Sequence, residues 1–275
     1  MQRVLISLIR VLPLWFFYGI MALVVPFYFF KRSSFRASYR FYRHRLGFPA
    51  VKSLLHVYAN HFCMGMVVLD RFAVYAGKQF DVKILRRDLF DHLADGKTGF
   101  MMLSSHTGCF EMVGYTWKSQ LKVNALVFPG ETSTMTQQRG RVFSRMNVKM
   151  IPVQEDFSHV FAVNSALSDG EVVCMPGDRL FGSQKAFRVP FFGADAAFPA
   201  GPFVLSAQRE APILSTFVMK TGYMSYRVYL EQLPAHPGLS RDEAASLLAQ
   251  AYASRLESIV REYPDQWFNF YDFWE

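Results

Sequence analysis

Short apolar runs alternate with amphipathic or polar segments through the middle of the chain, and this alternation limits the fold more than any other feature. The apolar runs are too short for helices and are bounded by glycine, proline or polar residues, as buried strands are. They are GFMMLSS (99–105), NALVFPG (124–130), VKMIPV (148–153) and EVVCMPGD (171–178). Between them, helices are predicted at 111–120 and 156–170. This order favours an α/β fold with a mixed, mostly parallel sheet flanked by helices.

Longer elements are predicted on either side of this alternating region. Residues 50–76 carry apolar groups at three- and four-residue spacing, which predicts one long helix. The segments APILSTFVMK and GYMSYRVYLEQL predict an antiparallel hairpin with Thr221 and Gly222 in its turn. Residues 240–262 predict a late amphipathic helix, with Ser240 as its N-cap.

The stretch from Val11 to Phe30 contains no charged residue, and a helix of that length spans about 30 Å, the thickness of the hydrocarbon core of a bilayer. We therefore expect a membrane anchor at residues 1–33, either a transmembrane helix or a helix lying in one leaflet, followed by one domain at residues 34–275. A cleaved signal peptide would have a shorter apolar region and a small-residue cleavage site, whereas this run ends in FYFFKRSSFR. A buried core helix stays open as an alternative.

Basic residues are concentrated directly after this run. The chain carries a formal net charge of +8, and KRSSFRASYRFYRHRLG (31–47) interleaves basic with aromatic residues. The positive-inside rule places the body of the protein in the cytoplasm, and such a segment suits the surface of anionic lipid head groups. Nucleic-acid binding uses the same residue types, but beside an apolar run of this length we expect no nucleic-acid partner.

The three cysteines, Cys63, Cys109 and Cys174, are too far apart in the sequence for a CxxC metal or redox site. Their odd number argues against a disulfide framework. We expect them to be reduced, with Cys109 a small apolar filler, and we expect no metal site.

His106 follows the strand predicted at 99–105, where the reactive groups of α/β folds gather. Glu111 lies five residues later, about 140° away on an ideal helix. The two side chains can meet if His106 lies in the strand-to-helix turn, which Gly108 permits, and Glu111 in the first helical turn. The carboxylate would then hold one imidazole nitrogen while the other accepts a proton from a hydroxyl. The amides of Thr107 and Gly108 would stabilise an oxyanion.

This chemistry needs no protein nucleophile. A single histidine five residues before a glutamate is also common by chance, so a structural histidine stays open as the alternative reading of the spacing.

The segment HTGCFE (106–111) resembles the H-x-x-x-x-(D/E) motif of lysophospholipid-type acyltransferases. Nearly the whole chain is similar to the bacterial lipid A late acyltransferases, the lauroyl and myristoyl transferases. Residues 170–221 resemble their region with a PDQ-like turn, a VPFFG core and an AP strand. YPDQW (263–267) resembles their C-terminal hPEQW element.

The resemblance implies an acyltransferase of the bacterial inner membrane, with its acyltransferase domain on the cytoplasmic face. It implies transfer of a fatty acyl chain from acyl carrier protein, or from acyl-CoA, to a hydroxyl of a lipid such as a lipid A precursor. No cofactor is implied beyond this co-substrate.

The resemblance also implies roles for individual residues. His106 would be the base and Glu111 its partner. Asp178 and Arg179 would shape the site or bind a substrate. Arg139 and Arg141 would lie near the substrate, with a solvated helix face as the alternative.

Departures from the family's pattern leave the acceptor open. GDR (177–179) stands where PDQ or PDH is usual, and the chain is short and ends in NFYDFWE without basic residues. An amino-acid lipid or an aryl polyene lipid is therefore an alternative acceptor. A glycerophosphate or lysophospholipid acyltransferase is another alternative, although FPGETS (128–133) matches their F-P-E-G-T-R-S-like block only partly and lacks its arginine. Outside enzymes, a non-catalytic membrane scaffold stays open.

Phenylalanines are numerous after the predicted strand at 171–178. They would line an apolar groove for an acyl chain, or they would form ordinary core. They are Phe181, Phe187, Phe191, Phe192, Phe198 and Phe203.

Overall fold

A computed structural model describes residues 2–28, 32–128, 133–154, 156, 158–180 and 185–274. The strands are β1 (Asp81–Leu85), β2 (Phe100–Ser104), β3 (Val123–Val127), β4 (Val148–Pro152), β5 (Val172–Pro176), β6 (Ala186–Phe191), β7 (Ala194–Pro199), β8 (Ile213–Gly222) and β9 (Ser225–Gln232). The α-helices are α1 (Gln2–Val11), α2 (Leu14–Tyr28), α3 (Arg32–Arg40), α4 (Ala50–Tyr75), α5 (Arg87–Asp95), α6 (Glu111–Thr116), α7 (Ser133–Arg145), α8 (Ser158–Ser168), α9 (Ala200–Arg209) and α10 (Arg241–Glu262). A π-helical segment, Phe41–Arg45, continues α3, and a 3₁₀ turn, Pro264–Gln266, follows α10.

Seven of the described strands form one sheet in the order β1-β9-β8-β2-β5-β3-β4. Neighbouring strands run parallel except β8 and β9, which form an antiparallel hairpin. The predicted α/β fold with a mixed, mostly parallel sheet is therefore confirmed. Every residue of the central strand β2 is buried, because helices cover both faces of the sheet, and this explains why its sequence is continuously apolar. Strands β6 and β7 pair separately as a small antiparallel ribbon.

The two long helices predicted from the sequence are confirmed. Helix α4 ends one residue before the predicted limit, and α10 begins after Ser240 as expected. The Ser240 hydroxyl accepts the backbone N–H of Glu243, and the Glu243 carboxylate accepts the backbone N–H of Ser240. The β8–β9 hairpin is also confirmed, but β8 continues through Gly222 after an irregularity in register and the turn lies at 223–224.

The structure does not support the predicted transmembrane helix. The helix over the apolar run is shorter than predicted, because α1 ends at Val11, Pro13 follows, and α2 begins only at Leu14. Proline has no N–H to donate and its ring clashes with the preceding turn, so a continuous helix through this position is costly. No helix of the described part of the chain combines the length and the apolarity needed to cross a bilayer. The end of the predicted run, residues 29–31, lies outside the described residues.

Helix α2 packs against α4 in the opposite direction. The Tyr18 hydroxyl donates to the carboxylate of Asp70, and the Tyr58 hydroxyl donates to the carbonyl of Ala22 at 3.0 Å. Asp70 is fully buried, and Lys220 of β8 pairs with it at 2.7 Å. Because a buried carboxylate without partners is strongly unfavourable, this cluster holds α2, α4 and β8 together.

The apolar core has two parts, one on each face of the sheet. Helices α8, α9 and α10 and the β6–β7 ribbon cover one face, while α2, α4, α5, α6 and α7 cover the other. The phenylalanines expected to line an acyl groove belong to the first part: Phe191, Phe192, Phe198 and Phe203 are buried there as ordinary core. Phe187 packs against the same core, and Phe181 lies outside the described residues.

Candidate active site

His106 lies in a tight turn between β2 and α6, at the carboxyl end of the central strand. The turn needs glycine at Gly108, where φ is +49° and a Cβ atom would lie only 2.0 Å from the carbonyl oxygen of Val218. The next amide, of Cys109, donates to that same carbonyl at 2.9 Å. The position predicted for His106 is therefore confirmed, and β8 holds the turn that carries it.

The imidazole of His106 is paired with Asp178. Its Nδ1 lies 2.7 Å from Oδ1 of Asp178, and its backbone N–H donates to Oδ2 at 2.8 Å. Sheet register explains the pairing: Ser104 of β2 is opposite Pro176 of the parallel strand β5, and each functional residue lies two positions further on. Parallel neighbours thus bring together two side chains that are 72 residues apart in the sequence.

Asp178 is only 1% exposed and remains ionised. Burial by itself would raise the pKa of its carboxyl, but the charge and hydrogen bonds of His106 and the nearby charge of Arg179 hold that pKa below its usual value. A negative charge against Nδ1 places the imidazole proton there and leaves Nε2 free to accept another.

Glu111 does not occupy the position that the sequence spacing predicted for it. Its Oε1 pairs with Nη2 of Arg139 at 2.6 Å, and its Oε2 pairs with Nε of Arg71 at 2.7 Å. The Tyr115 hydroxyl donates to the same Oε2 at 2.5 Å. Asp178, not Glu111, supplies the carboxylate next to Nδ1 of His106. Glu111 lies in the first turn of α6 and faces α4 and α7 instead.

The two arginines implied by the resemblance separate in the structure. Arg139 is buried and lines a cavity with Glu111, whereas Arg141 is exposed, as expected of a solvated helix face. Sequence reasoning missed Arg71, which also lines this cavity. A signal was present, since Asp70 and Arg71 are the charged pair that interrupts the apolar stretch MVVLDRFAVY of α4.

The cavity has a volume of about 550 Å³ and extends along one face of the sheet beneath α4, α6 and α7. His106, Arg179 and Phe268 line it beyond the carboxyl ends of the strands. Val123 and Val148, the first residues of β3 and β4, line it at the other end of the sheet. A five-residue strand is about 16 Å long, so the cavity follows the sheet for roughly that distance. Its other walls are mostly apolar: Met64, Val67, Val68, Phe90, Met102, Trp117, Ala125 and Phe143.

Of the two backbone amides expected to form an oxyanion hole, that of Gly108 is bonded elsewhere. The N–H of Gly108 donates to the carbonyl of Gln266 at 2.8 Å, so it is already used within the protein. Thr107 is buried outside the cavity wall, with its hydroxyl 2.7 Å from that of Ser105. The positively charged groups that line the cavity in the described residues are the guanidinium groups of Arg71, Arg139 and Arg179.

Two cysteines line the cavity but are not activated as nucleophiles. Burial raises the pKa of Cys174 to about 12 and raises that of Cys109 still further. Both thiols are therefore protonated at neutral pH. All three cysteines are free in the structure. Within the described residues, no group of three or more His, Cys, Asp or Glu side chains could hold a metal ion.

Of the segment FPGETS, Phe128 lines the cavity, and residues 129–132 lie outside the described residues.

A family model described as bacterial lipid A biosynthesis acyltransferase matches residues 63–275, which is most of the chain. A search of curated proteins found no match. The matched region contains His106, Asp178, Glu111 and the cavity between them, and it begins after the first half of α4.

Proposed function

The chain belongs to the bacterial lipid A biosynthesis acyltransferase family and is an acyltransferase that acts on a lipid, and from this premise we propose its reaction. The protein transfers a fatty acyl group from the thioester of acyl carrier protein, or of CoA, to a hydroxyl of its lipid acceptor. His106 is the general base. The observation that carries this proposal is the His106–Asp178 pair at the mouth of a largely apolar cavity.

The two ring nitrogens of His106 have different roles in the reaction. The carboxylate of Asp178 accepts a hydrogen bond from Nδ1–H, and Nε2 of His106 takes the proton of the acceptor hydroxyl as the hydroxyl oxygen attacks the thioester carbonyl. When the tetrahedral intermediate collapses, the C–S bond breaks and the thiolate takes the proton from Nε2. Transfer is direct, because the protonated thiols of Cys109 and Cys174 are poor nucleophiles.

The arginines bind the negative charges of the substrates. Arg71, Arg139 and Arg179 line the cavity with the carboxylate of Glu111, and the guanidinium group is suited to paired hydrogen bonds with phosphate. Phosphate is present in the phosphopantetheine arm of acyl carrier protein, in CoA and in phosphorylated lipids. Glu111 positions two of these arginines by direct ion pairs at 2.6 and 2.7 Å, a role in binding rather than in proton transfer.

This proposal is tested by offering the purified protein each donor with each acceptor class. The donors are acyl carrier protein and CoA thioesters, and the acceptors are a phosphorylated glucosamine lipid, lysophosphatidic acid and an amino-acid lipid. We expect one acceptor class to gain an acyl ester, detected by mass spectrometry, with one free thiol released per ester formed. Release of thiol without an acylated lipid in any combination would contradict the proposal.

The apolar part of the cavity holds the acyl chain. Ala125 of β3 lines it between the functional end and Val123, so we expect Ala125→Leu to shift the preference toward shorter acyl chains. One methylene in an apolar pocket changes discrimination by about tenfold or more, so kcat/KM for the longest donor should fall at least about tenfold relative to the shortest. The measurement is kcat/KM over a series of saturated acyl donors.

Ala197→Leu is the matched control, because Ala197 is a half-buried strand alanine of β7 outside the cavity. Its chain-length profile should equal that of the wild type. An Ala125→Leu profile that is lowered equally for all donors would show that the acyl chain lies elsewhere.

The N-terminal helices bind the protein to the surface of an anionic bilayer. Large apolar side chains are exposed on α1 and α2, among them Val11 (82% exposed), Leu23 (76%) and Phe27 (69%). Exposed apolar residues on a contiguous surface are typical of membrane contact. The exposed basic side chains Arg36 and Arg43 follow directly and suit anionic head groups.

We expect the triple variant Trp15→Ser, Leu23→Ser, Phe27→Ser to bind vesicles of phosphatidylethanolamine and phosphatidylglycerol at least about tenfold more weakly. Each of these side chains is exposed, and burying one in an apolar phase is worth about 1.5–3 kcal/mol. Vesicle flotation measures the bound fraction.

The control for this variant replaces three exposed apolar residues elsewhere on the protein, Phe161, Leu239 and Leu247, by serine. Its vesicle binding should equal that of the wild type. Equal losses in the two triple variants would show that binding does not depend on the N-terminal helices.

A further inference from the structure

The residues Gln266, Trp267 and Phe268 form a segment, the C-terminal strap, that lies against the turn carrying His106. The carbonyl of Gln266 accepts the N–H of Gly108 at 2.8 Å, and the N–H of Phe268 donates to the carbonyl of His106 at 2.8 Å. These two bonds pair the strap with the turn as one short antiparallel bridge. The strap thus fixes the backbone of His106 and of Gly108, on either side of Thr107.

The same segment contacts the other half of the site. The guanidinium group of Arg179, the residue after Asp178, donates to the carbonyl of Phe268. The strap therefore touches both the turn with the base and the turn with its carboxylate partner. The Nδ1–Oδ1 distance of 2.7 Å depends on how these two turns are placed relative to each other.

Gln266 connects the strap to the sheet. Its side-chain Oε1 accepts the backbone N–H of Lys220 at 2.8 Å, and its Nε2 donates to the carbonyl of Lys220 at 2.8 Å. A primary amide supplies one acceptor and one donor side by side, so it pairs with both backbone groups of a single strand residue. The Gln266 side chain is buried, and water does not replace these bonds readily.

A second connection comes from α4. Nδ2 of the buried side chain of Asn60 donates to the carbonyls of Asp265 and Trp267, at 3.0 and 2.9 Å. Asn60 holds the strap from the helix side and Gln266 holds it from the strand side. Of these two residues, Gln266 is also bonded, through its backbone carbonyl, to the turn that carries His106.

We propose that Gln266 is a positioning residue for acyl transfer, which aligns the His106 imidazole with Asp178 by fixing the C-terminal strap to the backbone of Lys220. The proposal rests on the role of His106 as general base. Gln266 is not among the residues that line the cavity, so it acts on the rate of the chemical step and not on substrate binding.

The test compares Gln266→Met with Gln266→Glu. Methionine has nearly the same length but removes both hydrogen bonds, and it adds no buried charge. Glutamate can accept the N–H of Lys220 but cannot donate to its carbonyl when ionised. We expect both variants to lower kcat by at least about tenfold, since misplacement of a catalytic group by about 1 Å can cost on the order of a hundredfold. KM for the acyl donor should stay within about twofold of the wild type.

Gln250→Met is the matched control, since Gln250 is a half-buried glutamine of α10 whose amide donates to the Ser254 hydroxyl at 3.0 Å. It should leave kcat unchanged. Thermal unfolding of every variant shows whether the protein is folded at the assay temperature.

A second readout does not require activity. In ¹⁵N-histidine-labelled protein, the signals of His106 are identified by their loss in His106→Ala. We expect the wild type to carry its neutral-form proton on Nδ1, and Gln266→Met to shift toward a mixture of tautomers. A folded Gln266→Met protein with wild-type kcat and an unchanged spectrum would overturn this inference alone. A wild-type protein that transfers no acyl group would instead overturn the proposed function.

Discussion

Replacing His106 by alanine should reduce acyl transfer by at least about a hundredfold, the loss expected when a general base is removed. No other histidine lines the cavity in the described part of the chain, so no neighbouring imidazole can substitute for it. The initial rate is measured with dodecanoyl- or tetradecanoyl-acyl carrier protein and the lipid acceptor that the wild type uses. We expect kcat and kcat/KM to fall together, because the proton transfer takes place in the transition state.

His92→Ala supplies the control for this result. His92 is exposed on α5, so its loss should leave the rate unchanged and the fold intact. A His106→Ala protein that is folded and transfers acyl groups at close to the wild-type rate would mean that the imidazole has only a structural role.

Asp178→Asn should lower kcat by about a hundredfold while KM for the acyl donor stays near its wild-type value. The neutral amide is almost the same size as the carboxylate, so packing of this buried side chain is preserved. It lacks the negative charge that keeps the proton on Nδ1 and stabilises the imidazolium after proton transfer. The measurement is kcat and KM of the purified variant, with Asp195→Asn, an exposed position on β7, as control.

The variant Glu111→Gln tests whether Asp178 or Glu111 is the functional partner of His106. In the structure Glu111 pairs with Arg71 and Arg139, so its loss leaves two largely buried guanidinium groups without their carboxylate. We expect this variant to lose about 3–5 kcal/mol of unfolding free energy and to raise KM for the phosphate-bearing substrate. If Glu111→Gln instead lowers kcat alone and Asp178→Asn does not, then Glu111 is the partner that the sequence spacing predicted.

Local patterns predicted those parts of the protein that depend on local interactions. The continuous apolar run at 99–105 identified β2, and the placement of His106 after it followed directly. The helix α10 was predicted with its cap, because Ser240 and Glu243 bond within a single turn. The length of the N-terminal apolar run, 11–30, was a poorer guide to the structure. Hydropathy alone does not distinguish lipid contact from burial in a protein core, and it does not reveal that the helix begins only after Pro13.

Contacts between distant segments could not be predicted from spacing. Asp178 meets His106 because β5 pairs with β2, and Gln266 meets Gly108 because the chain returns to the site after α10. The same return uses the Gly108 amide, which the sequence alone assigns to an oxyanion. A resemblance at 263–267 marked the segment, but its sequence does not reveal which backbone groups it binds.

The sequence by itself determined the α/β layering, the central strand, the position of the histidine and, through a family resemblance, the acyltransferase chemistry. Only the tertiary structure decided that Asp178 rather than Glu111 lies against Nδ1, that Glu111 holds two arginines, and that the helix over the N-terminal apolar run begins only after Pro13. The physical reason is the range of the interactions. Backbone periodicity and capping act within a few residues, whereas the partner of a buried charge is chosen by strand order and helix packing, which bring together residues from any part of the chain.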